Sequence, residues 1–319
     1  MTDEKRISAA ACGKIILFGE HAVVYGRPAI AVPVTQVQAT AIVEPTRRGL
    51  IIHAADIDRS VAVDPANLSD PLAAIVNLTL AHLSCPRPDL EITIRSTIPI
   101  ASGLGSGAAV STAIVRALSQ WFGTRLDDAE VNALVYEVEK LHHGTPSGID
   151  NTVIAYQQPV YFIRGAAIQT FAVAQPFTVA IGNTGVASST RITVGDVRTG
   201  WEIDRARYEA WFDRIGAIVQ QARSAIESGA IDRLGPLMDQ NQVLLRDLDV
   251  SSVELERLIL AAKQAGASGA KLVGGGRGGN MIALVDDRSV EAVTTALKNA
   301  GAVSVIVTEI TSTLALPIP

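Results

Sequence analysis

The sequence predicts an α+β protein of two domains, and three observations carry that expectation. The chain has 319 residues, about twice the length of a typical domain. Its first half alternates short apolar runs that read as strands with stretches of helical spacing. Its second half runs helix, strand, strand, helix, strand, an order that suits a small sandwich of helices on an antiparallel sheet.

In chain order, Ile7 to Leu17 and Ala29 to Val43 read as strands punctuated by Gly and Pro. Leu90 to Ile98 places Leu90, Ile92 and Ile94 opposite Glu91, Thr93 and Arg95, the alternation of a half-buried strand. A Gly/Ser loop then leads into a helix from Ala108 to Trp121. Asp127 or Asp128 caps a second helix reaching about His143, with Val131, Leu134, Val135, Val138 and Leu141 at helical spacing and Gly144 as its stop. Further on, Tyr208 to Ser228, Val253 to Ala265 and Ser289 to Ala300 read as helices. Lys271 to Val273, Met281 to Val285 and Ala302 to Glu309 read as strands. No charged or Pro-rich linker separates the halves. The boundary falls within 165–185 and is set between residues 172 and 173, giving domains 1–172 and 173–319.

Composition narrows the function. With 48% hydrophobic and 18% charged residues there is ample material for packed cores, which excludes a disordered or fibrous chain. Lys and Arg number 27 against 32 Asp and Glu, a net charge of −5, so no basic surface points to nucleic acid. Two cysteines, Cys12 and Cys85, match neither a disulfide scaffold nor a zinc spacing, and a reducing cytoplasm is expected. The first six residues lead into no signal-peptide core, and the charge-free stretches 96–115 and 165–190 carry too many Pro, Gly and polar residues for a lipid-facing helix. A soluble protein without membrane contact is expected.

Three glycine-rich segments stand out. The first, Pro99-Ile-Ala-Ser102-Gly103-Leu104-Gly105-Ser106-Gly107-Ala108, leads from a strand into a helix whose first N–H groups form an anion site. Taken alone it is equally an ordinary turn. Its G-x-G-x-x-A match to a dinucleotide fingerprint weakens because Asp127 and Asp128, about 20 positions on, open a helix rather than close a strand. The second, Lys271-Leu-Val-Gly274-Gly-Gly-Arg277-Gly-Gly279-Asn280, reads as a wide loop between two strands. The third is His143-Gly-Thr-Pro-Ser-Gly148-Ile149-Asp150-Asn151, where Asp150 either caps the next helix or does chemistry. Glu139 either faces solvent or turns inward to hold a cation.

Together with Gly13-Lys14-Ile-Ile-Leu-Phe-Gly19-Glu20-His21-Ala-Val-Val-Tyr25-Gly26, these segments resemble, in their order along the chain, the GHMP superfamily of small-molecule kinases. The likeness runs from about residue 10 to 285. It is greatest to the mevalonate kinase branch, through Gly19-Glu20-His21-Ala-Val-Val-Tyr25-Gly26, the Gly148-Ile149-Asp150-Asn151 loop and the stretch from Asn183-Thr184 to Thr190-Arg191.

The resemblance implies a two-domain fold, with a ribosomal-protein-S5-like N-terminal domain and a ferredoxin-like C-terminal one. It implies ATP- and Mg2+-dependent phosphorylation of the terminal hydroxyl of mevalonate, and a possible homodimer. It also admits a sibling kinase acting on phosphomevalonate, another small alcohol or the 3-hydroxyl of mevalonate, or a non-catalytic sensor. By resemblance, Asp150 and Lys14 are catalytic. Pro99, Ser102, Gly103, Leu104, Gly105, Ser106, Gly107 and Ala108 hold ATP, and Glu139 with Ser106 holds the metal. Glu20, His21 and Thr190 lie at the substrate, His21 either as a donor to it or in a structural hydrogen bond. The glycines 274–279 pack against the phosphate loop. Two departures from the family pattern stand out. Gly107 replaces a second serine, leaving Ser106 or water at the metal. Arg277 and Asn280 replace a glycine and a cysteine, Arg277 to reach an anion or to sit in solvent.

Overall fold

The computed structural model describes residues 5–65, 69–99, 102–143, 146–187 and 189–312. The expected stop of the second helix at Gly144 lies outside them. The first half comprises β1 (Ile7–Phe18), a 3-10 turn (Ala22–Tyr25), β2 (Ala29–Pro45), β3 (Ile51–Ala54), β4 (Arg59–Ala62), α1 (Pro71–His82), β5 (Leu90–Ser96), α2 (Ser106–Trp121), α3 (Asp128–His143), α4 (Ile149–Tyr156), β6 (Val160–Phe162) and β7 (Gln169–Thr170). The strands order as β4-β3-β5-β2-β6-β7, with β1 also paired to β2. Helix α2 lies across β1 and β2, and α1, α3 and α4 pack around it. Ala108, Ala109, Ala113, Ala117 and Leu118 of α2 are buried against this sheet. The run of small side chains lets the helix approach the sheet closely.

The second half comprises β8 (Phe177–Asn183), α5 (Thr190–Ile203), α6 (Arg205–Ser228), α7 (Leu234–Asp247), α8 (Val253–Gln264), β9 (Gly269–Val273), β10 (Asn280–Val285), α9 (Val290–Asn299) and β11 (Ser304–Ile310). Its sheet orders as β11-β8-β10-β9, antiparallel throughout, so its first strand sits between its third and fourth as in a ferredoxin-like sandwich.

Besides the short strands β3, β4, β6 and β7, four elements lie outside the sequence expectation, each for a local reason. Strand β8, Phe-Thr-Val-Ala-Ile-Gly-Asn, is central and buried on both faces, so it lacks the alternation that marks a half-exposed strand. Helix α7 carries Gly235 and Pro236 near its start. Proline is tolerated in a first turn, where its missing N–H has no intrahelical partner to lose. Helix α5 contains Gly195 and Gly200, and α1 is short, capped by Asp70 through the N–H groups of Leu72 and Ala73.

The edge strand β9 is covered by α7. Asp239 accepts from Ala270 N at 3.0 Å and Gln242 from Leu272 N at 2.9 Å, which satisfies N–H groups that an edge leaves open. The two backbones nearly touch. A Cβ at Gly269 would lie 2.1 Å from the Gly235 carbonyl oxygen, and one at Gly235 would lie 2.4 Å from that of Ser268. Both neighbours are backbone and cannot yield cheaply. Gly269→Ala is expected to destabilise the protein by about 2–3 kcal/mol, the upper part of the range for overpacking. Gly195→Ala, which meets nothing within 4 Å in a helix, is expected to be neutral or stabilising by up to about 1 kcal/mol. Urea-unfolding midpoints of the two variants measure the contrast.

Candidate active site

The site begins with an irregularity in β1. Its register with β2 jumps from Cys12↔Gln38 to Gly13↔Val34, so Thr35 to Val37 bulge out of the ladder immediately before Lys14. Lys14 then faces Pro33, which has no N–H to offer. The Lys14 backbone N–H donates to the Leu104 carbonyl at 3.0 Å. One bond thus fixes the lysine against the glycine loop, and its side chain is only 4% exposed.

That loop turns through Gly103 and Gly105 at φ 77° and 76°. Gly105 is the N-cap of α2 and contributes no side-chain cap, so the helix opens with backbone N–H groups facing the loop. A Cβ on Gly105 would lie 2.8 Å from Ile154 Cδ1 and 2.9 Å from Lys14 Cγ. Only glycine fits both the left-handed backbone and the space that Lys14 occupies.

Asp150 reaches the same point from α4. Gly148 is the N-cap and Asp150 stands in the first turn, so it does not cap the helix. Asn151 donates from Nδ2 to Asn132 Oδ1 at 2.6 Å, which ties α4 to α3. Asp150, one residue earlier and about a quarter-turn away, points instead at Lys14. Lys14 Nζ lies 2.7 Å from Asp150 Oδ1, and the Asp150 side chain remains 34% exposed. This pair is buried on the lysine side and open on the carboxylate side.

Glu139 completes the centre from α3. It is buried, and a Cβ on Gly107 would lie 3.5 Å from its Oε1, so the carboxylate stands over the first turn of α2. Burial first, then the negative charge of Asp150, push its pKa up to about 7, while Lys14 opposes the rise. A buried carboxylate crowded by a second carboxylate suits a hard divalent cation, which would offset both effects. Among the described residues no group of three or more His, Cys, Asp and Glu forms a metal cage. Any cation here would therefore take the rest of its ligands from hydroxyl, water or a bound anion.

The remaining predicted residues divide. Ser102 is buried, with its hydroxyl donated to the Pro99 carbonyl at 2.7 Å, and its own carbonyl accepts from Asn280 Nδ2 at 2.5 Å. Leu104 and Ala108 are buried, whereas Gly103 and Gly107 are exposed. Thr190 opens α5 against Gly275, where a Cβ would meet its Oγ1 at 2.9 Å. His21 lies against the same glycine, its Nε2 donating to the Gly275 carbonyl at 3.1 Å. It is 5% exposed at φ 61°, the structural one of its two expected roles. Glu20, expected at the substrate, has no exposed side-chain surface and instead pairs with Lys271 of β9. Arg277 ion-pairs with Asp196 and with Asp249 (3.2 Å), clamping the C-terminal glycine loop to α5 and to the α7–α8 turn.

Sequence reasoning missed Lys271 and the contact of Asn280 with the phosphate loop. No local pattern marks Lys271, because its partner lies 251 residues away. Just beyond His21, Tyr25 stacks on Phe212 of α6, centroids 4.2 Å apart, and Arg27 pairs with Asp213 at 2.8 Å. These contacts fasten the segment carrying Glu20 and His21 to the second domain.

The chain matches known proteins along most of its length. The profile of the GHMP kinase N-terminal domain matches residues 72–158, and that of the GHMP kinase C-terminal domain matches residues 222–303. A mevalonate kinase of Thermococcus sibiricus is 35% identical over 94% of this chain and 95% of its own length. The mevalonate kinase of L. major, solved in complex with R-mevalonate, superposes with a TM-score of 0.84 at 31% identity, covering 97% of each chain. A phosphomevalonate kinase of Streptococcus pneumoniae, at 20% identity and a TM-score of 0.78, shares the fold. Among the described residues no helix is long and apolar enough to cross a membrane.

Two outcomes are expected. Gly105→Ala should lower the unfolding midpoint modestly, through the left-handed backbone and the contact with Ile154, and by displacing Lys14 cut turnover by about 10²-fold or more, as misplacement of about 1 Å does. Circular dichroism and steady-state kinetics separate the two effects. Burial also lowers the His21 pKa from 6.5 to about 4, against the opposing Gly275 carbonyl. Between those values the folded protein binds fewer protons than the unfolded chain. The stability contribution is therefore complete above pH 6.5 and is lost as pH falls toward 4, by up to about 3 kcal/mol. His21→Asn, which tolerates the left-handed backbone, should show a shallower acid limb than the wild type in urea titrations at pH 7, 6 and 5.

Proposed function

We propose, for a chain that belongs to the GHMP kinase family, the ATP-dependent phosphorylation of the terminal hydroxyl of mevalonate to 5-phosphomevalonate. The observation that carries this reading is the 2.7 Å Lys14–Asp150 pair at the mouth of the uncapped α2 helix. Relatives at about 35% identity along nearly the whole chain bear the name mevalonate kinase, and a structural neighbour at 31% identity binds R-mevalonate. Those two findings choose the substrate within the family.

Phosphoryl transfer to an alcohol asks for a held polyphosphate, a deprotonated hydroxyl and neutralised charge. The Gly103–Gly107 loop and the first N–H groups of α2 bind the phosphate chain, because the helix terminus presents donors and a partial positive charge. Asp150, exposed on the side away from Lys14, accepts the proton of the substrate hydroxyl at a carboxylate oxygen. General-base assistance of this kind contributes about 10²–10⁴-fold. Lys14 orients that carboxylate and offers its ammonium to the developing alkoxide and the transferring phosphoryl group. A magnesium ion, when bound, supplies Lewis-acid neutralisation of phosphate charge. Glu139 and the hydroxyl of Ser106, the first residue of α2, are the residues that would hold it. The location we propose is the cytoplasm, where the thiols Cys12 and Cys85 stay reduced.

The test is a panel of mevalonate, phosphomevalonate, galactose and homoserine with ATP, with the products read by phosphorus NMR. Mevalonate should be the preferred acceptor and carry the phosphate on its terminal oxygen. Preferred turnover of another alcohol would overturn the assignment. Asp150→Asn should lower kcat by at least about 10²-fold while isothermal titration still registers ATP binding.

A further inference from the structure

The buried ion pair between the two domains stands one step outside the catalytic residues. Lys271 of β9 is fully buried, as is its partner Glu20. The lysine ammonium donates to Glu20 Oε1 and to the Leu272 carbonyl at 2.7 Å. The other carboxylate oxygen, Oε2, is buried with no hydrogen-bond partner. Two cations act on that carboxylate, Lys271 first and Lys14 second. Lys14 is the residue that must stay on Asp150. It shares β1 with Phe18, just before the Gly19-Glu20 turn, while His21 bonds the loop four residues beyond Lys271. The carboxylate of Glu20 is thus paired with one ammonium and feels the field of a second, that of Lys14.

We propose that Lys271 is a positioning residue for phosphoryl transfer: by neutralising Glu20 it keeps the Lys14 ammonium on Asp150. Lys271 has no exposed surface and touches no substrate, so its effect passes through Glu20 and Lys14. Without it, the buried carboxylate has one other ammonium to recruit, and a half-satisfied buried charge recruits strongly. Burial pushes the Glu20 carboxyl above its ordinary range against the pull of both lysines, which agrees with a group held at the limit of its charge compensation. The inference rests on the kinase reading above, and turnover of mevalonate by the wild type is its reference.

The experiment compares kcat and KM, for both mevalonate and ATP, in the wild type, Lys271→Met and the double variant Glu20→Gln/Lys271→Met. Thermal melts establish that each is folded. Methionine keeps the unbranched stem, and the double variant leaves no unpaired buried charge. Folded Lys271→Met should lose about tenfold or more in kcat with both KM values within about threefold, and the double variant should recover at least about fivefold of that loss. A merely structural pair moves the melting temperature and leaves kcat of the folded enzyme alone. A smaller loss in Lys271→Met, a larger change in either KM, or a double variant as slow as the single one overturns the proposal. Should Lys271→Met not fold, Lys271→Gln, which keeps a hydrogen-bond donor to Glu20 but no charge, is read against the same kcat and KM limits. If neither variant folds, the pair is a folding element and the proposal is overturned. Wild-type protein that does not turn over mevalonate would instead remove the kinase reading beneath it.

Discussion

A lysine ammonium cannot be taken out of water without a partner, and the architecture around the cleft follows from where that partner comes from. Lys14, on β1, is 4% exposed and its partner, Asp150, arrives 136 residues later on helix α4. Bringing them within 2.7 Å needs the β1 bulge, the N–H bond from Lys14 to Leu104 and the Asn151–Asn132 bond that orients α4. Each of these would be an oddity in isolation. Together they hold one charge pair whose carboxylate half is left open to a ligand. The glycine at 105 follows from the same constraint, because the stem of Lys14 occupies the space a Cβ would need.

The electrostatics are arranged around that pair. Burial first, then the negative charge of Asp150, pushes Glu139 up to about 7, and Lys14 opposes the rise. A third carboxylate, Glu20, feels Lys14 as well and is balanced by Lys271 from the other domain. The charge count of the cleft is thus settled across the domain boundary. The second domain is a source of compensation as well as a wall. Tyr25 on Phe212, Arg27 on Asp213 and Asn280 on the Ser102 carbonyl hold the two halves in the register this balance needs.

Much of this was legible in the sequence where chemistry coincides with a local pattern. The strand–glycine–helix order around Ser102 to Ala108 marks an anion site because glycine torsions and a helix start are both local properties. Lys14, Glu139 and Asp150 were readable because they stand in or beside segments whose order along the chain resembles that of the GHMP kinases. Glu20 shows the limit. Its motif is as clear as that of Lys14, yet its environment depends on a lysine 251 residues away, in a strand whose sequence gives no hint of a buried charge. Strand β8 was hidden for a related reason. Its neighbours on both sides, β10 and β11, come from the far end of the chain, so burial removed the alternation that would have marked it. The bulge before Lys14 has no sequence signal beyond Pro33.

The central claim is that Lys14 and Asp150 act as one unit. A double-mutant cycle on kcat with Lys14→Met, Asp150→Asn and both together measures their coupling. The account expects strong non-additivity, with the double variant about as slow as the slower single one, as groups sharing one catalytic step behave. Losses that simply multiply would mean that each side chain works alone and that their proximity is incidental.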